Sequence, residues 1–288
     1  MKVLITGAAG QVGRSLVRIA ANEAQLQPVS HKELDIGDAD AVLAYVRTHE
    51  PEVIINAAAH TAVDRAESEP QLAGRVNTDG PRHLAAAARE VGARLIHIST
   101  DFVFDGAASV PYRPEAATAP LSVYGRTKLA GEAAVLEILP ERSVIVRTAW
   151  VYAAEGSNFV RTMLRVMNAN GAVRVVADQV GSPTAAVSLA ETLWKIVGES
   201  RINGIHHWTD AGVASWYDFA VAIAEEGAAL NLVPPTVTVT PIATADYPTP
   251  ARRPAYSVLD KSSLAGYGLV PSHWRQRLRS VLGELKIG

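Results

Sequence analysis

Along the first 150 residues, short apolar runs alternate with longer stretches whose apolar positions recur every three or four residues. Lys2–Thr6, Leu26–Ser30, Val53–Asn56, Arg94–Ser99 and Ser143–Thr148 are each short and rich in Val, Ile or Leu. Such runs predict strands buried on both faces, as in a parallel sheet covered by helices. Between them, a helical period places Val12, Leu16 and Ile19 on one face of Gln11–Ala21, and Val42, Leu43 and Val46 on one face of Ala39–His49. Leu84–Val91, with its run of alanines, predicts a further helix. Regular strand–helix alternation predicts an α/β fold, a Rossmann-type doubly wound parallel sheet.

After Trp150 the pattern loosens. Asn158–Met167, Ala186–Val197, Trp216–Glu226 and His273–Leu285 read as helices, and Val173–Ala177 and Ile205–Trp208 as strands. Prolines at 234, 235, 241, 248, 250 and 254 predict loops there. Residues 1–150 are therefore expected to form a nucleotide-binding domain. Residues 151–288 are expected to form mainly a smaller substrate-binding lobe, some of whose elements return to the first sheet.

Composition narrows the classes. Hydrophobic residues make up 48% of the 288 and charged residues 19%, ample for a large core and inconsistent with a mainly disordered chain. The 27 basic and 29 acidic residues leave a net charge of −2, which argues against a nucleic-acid or anionic-membrane partner. Cysteine is absent, so disulfides, thiolate nucleophiles and Cys-type metal centres are excluded. The apolar run Val3–Thr6 is too short for a signal peptide, and no stretch of spanning length follows, so a cytoplasmic protein is expected. The eight histidines show no metal-ligand spacing. His206 and His207, adjacent on a predicted strand, point to opposite faces.

Candidate chemistry starts at the first strand, which runs into Gly7-Ala8-Ala9-Gly10-Gln11-Val12-Gly13 and then a helix. Free N–H groups at a helix start favour a dinucleotide pyrophosphate, and glycines let it approach; a tight turn with glycines for packing is the competing explanation. NAD binders usually place an acid at the end of the second strand, whereas Ser30-His31-Lys32 offers none and tolerates a 2′-phosphate. NADPH is thus favoured, with NADH also acceptable, and Asp35 and Ile36 are placed toward adenine. Tyr124 and Lys128 stand one helical turn apart. A neighbouring ammonium favours phenolate and so lets a tyrosine exchange protons with a carbonyl or alcohol oxygen. The fourth strand ends in Ser99-Thr100-Asp101, at the edge of the crevice where open α/β sheets bind ligands, and Thr100 can donate to a substrate carbonyl.

These elements together resemble the extended short-chain dehydrogenase/reductase family, and within it the nucleotide-sugar 4-ketoreductases. The segments Gly7–Gly13, Asn56–Glu67, Ser99–Gly106, Tyr124–Glu132, Arg147–Tyr152, Asn158–Val160, Asp178–Thr184 and Arg253–Ser257 carry the resemblance in order along most of the chain. The strings Asn56-Ala57-Ala58-Ala59-His60-Thr61-Ala62-Val63-Asp64 and Ser99-Thr100-Asp101-Phe102-Val103-Phe104-Asp105-Gly106 are far more specific than the glycine loop.

The resemblance implies reduction of the 4-keto group of a dTDP-linked 6-deoxyhexose, dTDP-4-dehydro-L-rhamnose, by NADPH. It implies Thr100, Tyr124 and Lys128 as the catalytic set. The cofactor would be held by Gly7, Gly10, Gln11, Val12, Gly13, Ser30, Asp35, Ile36, Tyr124 and Lys128, with Ala57, Ala58 and Ala59 beside the nicotinamide. Thr61, Thr100, Asp101 and Trp150 would contact the sugar. Arg253 would lie toward the diphosphate, although a structural ion pair explains it equally, as a core position explains Trp150. Some family members dimerise around a metal held by a Glu on the first helix. Arg14-Ser15 stand there in this chain, so no metal is expected, and the working unit is expected to be a monomer or a homodimer. A different sugar epimer or base, or a non-catalytic regulatory subunit like that of methionine adenosyltransferase, are the rival functions. The intact Tyr124, Lys128 and Thr100 count against the last.

Overall fold

The structure, a computed structural model, describes residues 1–20 and 24–287. The first half runs β1 (Lys2–Thr6), α1 (Gln11–Arg18), β2 (Gln25–Val29), α2 (Ala39–His49), β3 (Val53–Asn56), α3 (Val63–Ser68), α4 (Pro70–Gly74), a π-helical turn Arg75–Asp79, α5 (Gly80–Val91), β4 (Arg94–Thr100), α6 (Val123–Ile138) and β5 (Ser143–Thr148). The second half continues with β6 (Val151–Tyr152), α7 (Phe159–Asn170), β7 (Ala172–Val176), β8 (Val180–Gly181), β9 (Thr184–Ala185) and α8 (Ala186–Gly198). It closes with β10 (Gly204–His207), β11 (Ala214–Ser215), α9 (Trp216–Ala229), β12 (Thr238–Ile242) and α10 (Trp274–Ile287).

Six strands form one parallel sheet in the order β10-β5-β4-β3-β1-β2. The continuous apolar runs explain its two covered faces. On β1, Val3 and Ile5 pack with Leu16 of α1 and Leu189, Leu193 and Ile196 of α8, while Leu4 between them joins Val42, Val46, Leu84 and Val135 of α2, α5 and α6. Each fully buried aliphatic side chain of this kind contributes about 1.5–3 kcal/mol. The chain turns back on itself between β1 and β3, and at such a switch point loops splay apart to leave a crevice. A third core joins α7, α9 and α10 around Phe219, Met163, Trp274 and Leu278.

Several boundaries differ from the pattern-based expectation. The first helix is described as Gln11–Arg18 with Ile19 as its C-cap, and Ala21 lies outside the described residues. The α5 helix begins at Gly80, four residues early, because Pro81 suits a first helical turn. Residues 234–254 are not loop throughout: β12 includes Pro241 and pairs in parallel with β7. Its two-stranded sheet has one partner only, and a proline is tolerated where one edge needs no donor. Among the described residues no helix is long and apolar enough to cross a membrane.

Candidate active site

Glycine geometry fixes the crevice floor. Gly7 has φ of +70°, and a Cβ there would lie 2.6 Å from the Ala58 nitrogen, so β1 and the loop after β3 meet backbone to backbone. A Cβ on Gly13 would come within 2.2 Å of the Gly7 carbonyl oxygen, so α1 can press on the loop only with glycine there. Gly10 starts α1 in extended conformation with no side-chain cap. A Cβ on it would meet only the Gly7 carbonyl, at 3.2 Å, the rest being open space. Asn158, the N-cap of α7, donates to the Gln11 side chain at 2.9 Å and so ties the glycine loop to the second half of the chain.

The α6 helix is seated by two more glycines. Ser122 caps it, accepting from the Gly125 N–H at 3.1 Å. A Cβ on Gly125 would fall 2.2 Å from the Phe102 carbonyl oxygen, and one on Gly131 would fall 2.1 Å from that of Asn77. These contacts draw α6 onto the turn after β4 and onto the π-helical segment, which brings Tyr124 beside Thr100. The Tyr124 ring meets Phe102 edge-on at 5.5 Å. Asn77 in turn holds the loop after β3, accepting from the His60 N–H at 2.8 Å and donating to its carbonyl at 3.1 Å.

A cleft of about 500 Å³ gathers Gly10, Gln11, Val12, Ala57, Ala58, Ala59, Thr61, Thr100, Asp101, Tyr124, Lys128, Trp150 and Arg253. Gly7 and Gly13 shape it from behind. Ser30, Asp35 and Ile36 stand apart from its lining. Asp35 pairs with Arg75 at 2.5 Å, and Ile36 is core, its side chain packed where Gly80 leaves room. The end of β2 also differs from expectation in having an acid nearby, because Glu33 folds back to accept the Ser30 N–H at 2.7 Å. An acid four residues beyond the strand is invisible to a rule that inspects the strand end.

The electrostatics are those of a buried site. Tyr124 is pushed up to about 12 by burial, against the pull of the Thr100 hydroxyl. Lys128 is lowered to about 8 by burial, with Glu132 acting the other way; its Nζ donates to the Ile98 carbonyl at 2.7 Å. Lys128 is not among the groups that shift Tyr124, whose phenol is raised by burial and by the Asp101 carboxylate. Asp101 is raised to about 6 by burial, accepts from the Thr100 hydroxyl at 3.1 Å, and has an Oδ2 without a hydrogen-bond partner among the described residues.

Trp150 follows β5 with φ of +49°, a costly conformation for a bulky residue, of the order of 1–3 kcal/mol. It stacks on Trp216 at 3.5 Å and 6°. Behind it Gly181 is required, since a Cβ there would lie 2.7 Å from the indole. Arg253 is paired with Asp64 at 2.8 Å and also borders two grooves beyond the cleft. Sequence reasoning missed Trp216, Phe102 and Asn158 as lining residues. A serine–aspartate capping box, Ser215 with Asp218, announces the helix that carries Trp216, but no local pattern says which ring it will meet.

Comparison with known proteins places this geometry. Residues 1–287 match the family model of the RmlD substrate binding domain. A dTDP-4-dehydrorhamnose reductase of Aggregatibacter actinomycetemcomitans is 42% identical over 97% of this chain and 98% of its own. A probable dTDP-4,6-dihydroxy-2-methyloxan-3-one 4-ketoreductase of Streptomyces antibioticus is 43% identical over 99% and 96%. Among solved structures, the dTDP-4-dehydrorhamnose reductase of Bacillus anthracis in complex with NADP superposes with a TM-score of 0.93 at 37% identity, covering 98% of this chain and 99% of that one.

Proposed function

The chain belongs to the RmlD substrate-binding-domain family, and we propose that it reduces the 4-keto group of dTDP-4-dehydro-L-rhamnose to give dTDP-L-rhamnose, with NADPH as donor. The observation that carries this reading is the placement of Thr100, Tyr124 and Lys128 in one cleft with the glycine loop. A dinucleotide fits the residues present. The open side of Gly10 and the uncapped start of α1 offer N–H groups to a pyrophosphate through Gln11 and Val12. Ala57, Ala58 and Ala59 give the nicotinamide a flat wall, Lys128 reaches a ribose, and Ser30, Asp35 and Ile36 lie toward the adenosine end. When bound, the cofactor supplies the hydride.

The protein's own groups handle the proton. Tyr124 keeps its hydrogen at neutral pH because its phenol is pushed up to about 12, so it holds a proton to give as the substrate oxygen gains electrons. Thr100, whose one hydroxyl hydrogen goes to Asp101 in the structure, turns it onto the substrate carbonyl and fixes that oxygen beside Tyr124. Lys128, once charged, stabilises the phenolate that remains. Trp150, backed by Trp216, forms an apolar wall for the sugar, with Thr61 and Asp101 offering polar contacts. Arg253 faces the diphosphate, for which a planar guanidinium is suited.

Residues 1–150 serve in this reading as the cofactor-binding domain and 151–288 mainly as the substrate lobe, a division supported by β10 alone of the later strands joining the main sheet. The protein is read as cytoplasmic, working as a monomer or homodimer. The Streptomyces antibioticus relative supports a second reading, a 4-ketoreductase for another dTDP sugar. Following NADPH oxidation with dTDP-4-dehydro-L-rhamnose and with its epimers decides between them. Turnover fastest with the rhamnose precursor is expected, and none with any of them overturns the proposal.

A further inference from the structure

His97 lies on β4, fully buried between Asn56 of β3 and Lys128 of α6, and no step above uses it. Its hydrogen bonds fix its tautomer. Asn56 Oδ1 accepts from the Thr6 hydroxyl at 2.7 Å and from the Ala58 N–H at 3.1 Å. A backbone N–H only donates, so the amide oxygen faces Ala58 and the amide NH₂ faces the imidazole. Asn56 Nδ2 therefore donates to His97 Nδ1 at 3.0 Å, and Nδ1 carries no proton. Burial, reinforced by Lys128, holds His97 well below the usual histidine range, so the ring is neutral and its one proton sits on Nε2.

That N–H points at Lys128 Nζ, 3.3 Å away. An ammonium has donors only, and facing another donor it loses the bond. A neutral amine accepts from His97 Nε2 while still donating to the Ile98 carbonyl.

We propose that His97 is a positioning residue for the reduction: locked by Asn56 with its proton on Nε2, it disfavours the ammonium form of Lys128 and keeps that lysine's charge labile. The proposal rests on the reading of Lys128 as part of the reductive site. The other groups facing Lys128 act differently. Glu132, one turn further along α6, favours the ammonium but is itself engaged by Arg147 of β5 at 2.7 Å. Tyr124 is held neutral, and Asp101 at the end of β4 engages Thr100. Of these groups, His97 alone brings a donor against Nζ.

Long-range ¹H–¹⁵N NMR of the imidazole in the full chain reads the tautomer without reference to activity. A protonated Nε2 and bare Nδ1 are expected from about pH 6 to 8, whereas a protonated Nδ1 or an imidazolium overturns the proposal. The second arm is the pH profile of kcat/KM. In His97→Gln an amide oxygen can accept from Lys128, so the basic limb should move up by about one unit or more. A uniformly lower rate with the limb unmoved would reduce His97 to a structural role and overturn the proposal. Should His97→Gln not fold, Asn56→Asp supplies a second variant: its carboxylate takes the proton to Nδ1, and NMR should show the tautomer reversed. Absence of turnover in the wild type would sink the reductase reading, whereas the NMR arm would still decide the tautomer of His97.

Discussion

Arg147 projects from β5 onto α6, the helix that carries Tyr124 and Lys128. Its Nη2 donates to Glu132 at 2.7 Å and its Nε at 3.0 and 3.2 Å. Nη1 donates to the Pro114 carbonyl at 3.0 Å, and the guanidinium lies 5.2 Å from the centre of the Phe104 ring. The two side chains are 3% and 2% exposed. Arg147→Met therefore leaves a carboxylate enclosed without its cation, a penalty of about 3–5 kcal/mol. An exposed pair such as Arg14–Glu155, 57% exposed on each side, contributes only about 0–1 kcal/mol. Combining Arg147→Met with Glu132→Met removes the orphaned charge, and most of the loss should return. Urea unfolding followed by circular dichroism at pH 7 measures both variants. A single variant within about 1 kcal/mol of wild type, or a double variant as damaged as the single, refutes the idea that α6 is anchored by an obligate buried pair.

Tyr124→Phe should fold, bind NADPH and keep its edge contact with Phe102, yet lose at least about 10²–10⁴-fold in kcat; circular dichroism, a cofactor titration and steady-state kinetics check the three parts. Turnover within about threefold of wild type would remove Tyr124 as the acid. Asp101, raised to about 6 by burial, binds its proton more tightly folded than unfolded, so its contribution is full below about pH 4 and is lost as pH rises through about 6. The stability of wild type relative to Asp101→Asn should accordingly fall by about 2 kcal/mol between pH 4 and 6, measured by urea unfolding across the range, and a flat difference contradicts it. Activity should survive exhaustive EDTA treatment, because Arg14 and Ser15 stand where a ligating carboxylate would be and Arg14 is paired with Glu155; loss restored by Mg²⁺ would reveal a site.

The inner strands of the sheet were legible because they are buried on both faces and read as runs of Val, Ile and Leu, whereas the edge strand β2 carries two glutamines and a proline and is only partly buried. Residues 63–79 were not. Two short helices and a π-helical turn follow one another there, none long enough to establish a period. Pro241 misled in the same way, since a strand with a single partner can carry a residue that pattern rules assign to loops. In the cleft, short-range spacing revealed the glycine loop and the Tyr124–Lys128 pair. Contacts far apart in sequence stayed hidden: Lys128 with His97, Glu132 with Arg147, Trp150 with Trp216. Each depends on which strands become neighbours, and that is decided by the whole topology.

In the proposed reaction a hydride passes in this cleft to one sugar carbon while Tyr124 supplies the proton. Incubating the protein with dTDP-4-dehydro-L-rhamnose and NADPH deuterated at the nicotinamide C4, followed by NMR of the product, tests it most directly. dTDP-L-rhamnose with deuterium at C4 of the sugar and hydrogen from water on its oxygen is expected. Tight binding of both ligands with no transfer of deuterium, or deuterium at any other carbon, would contradict it.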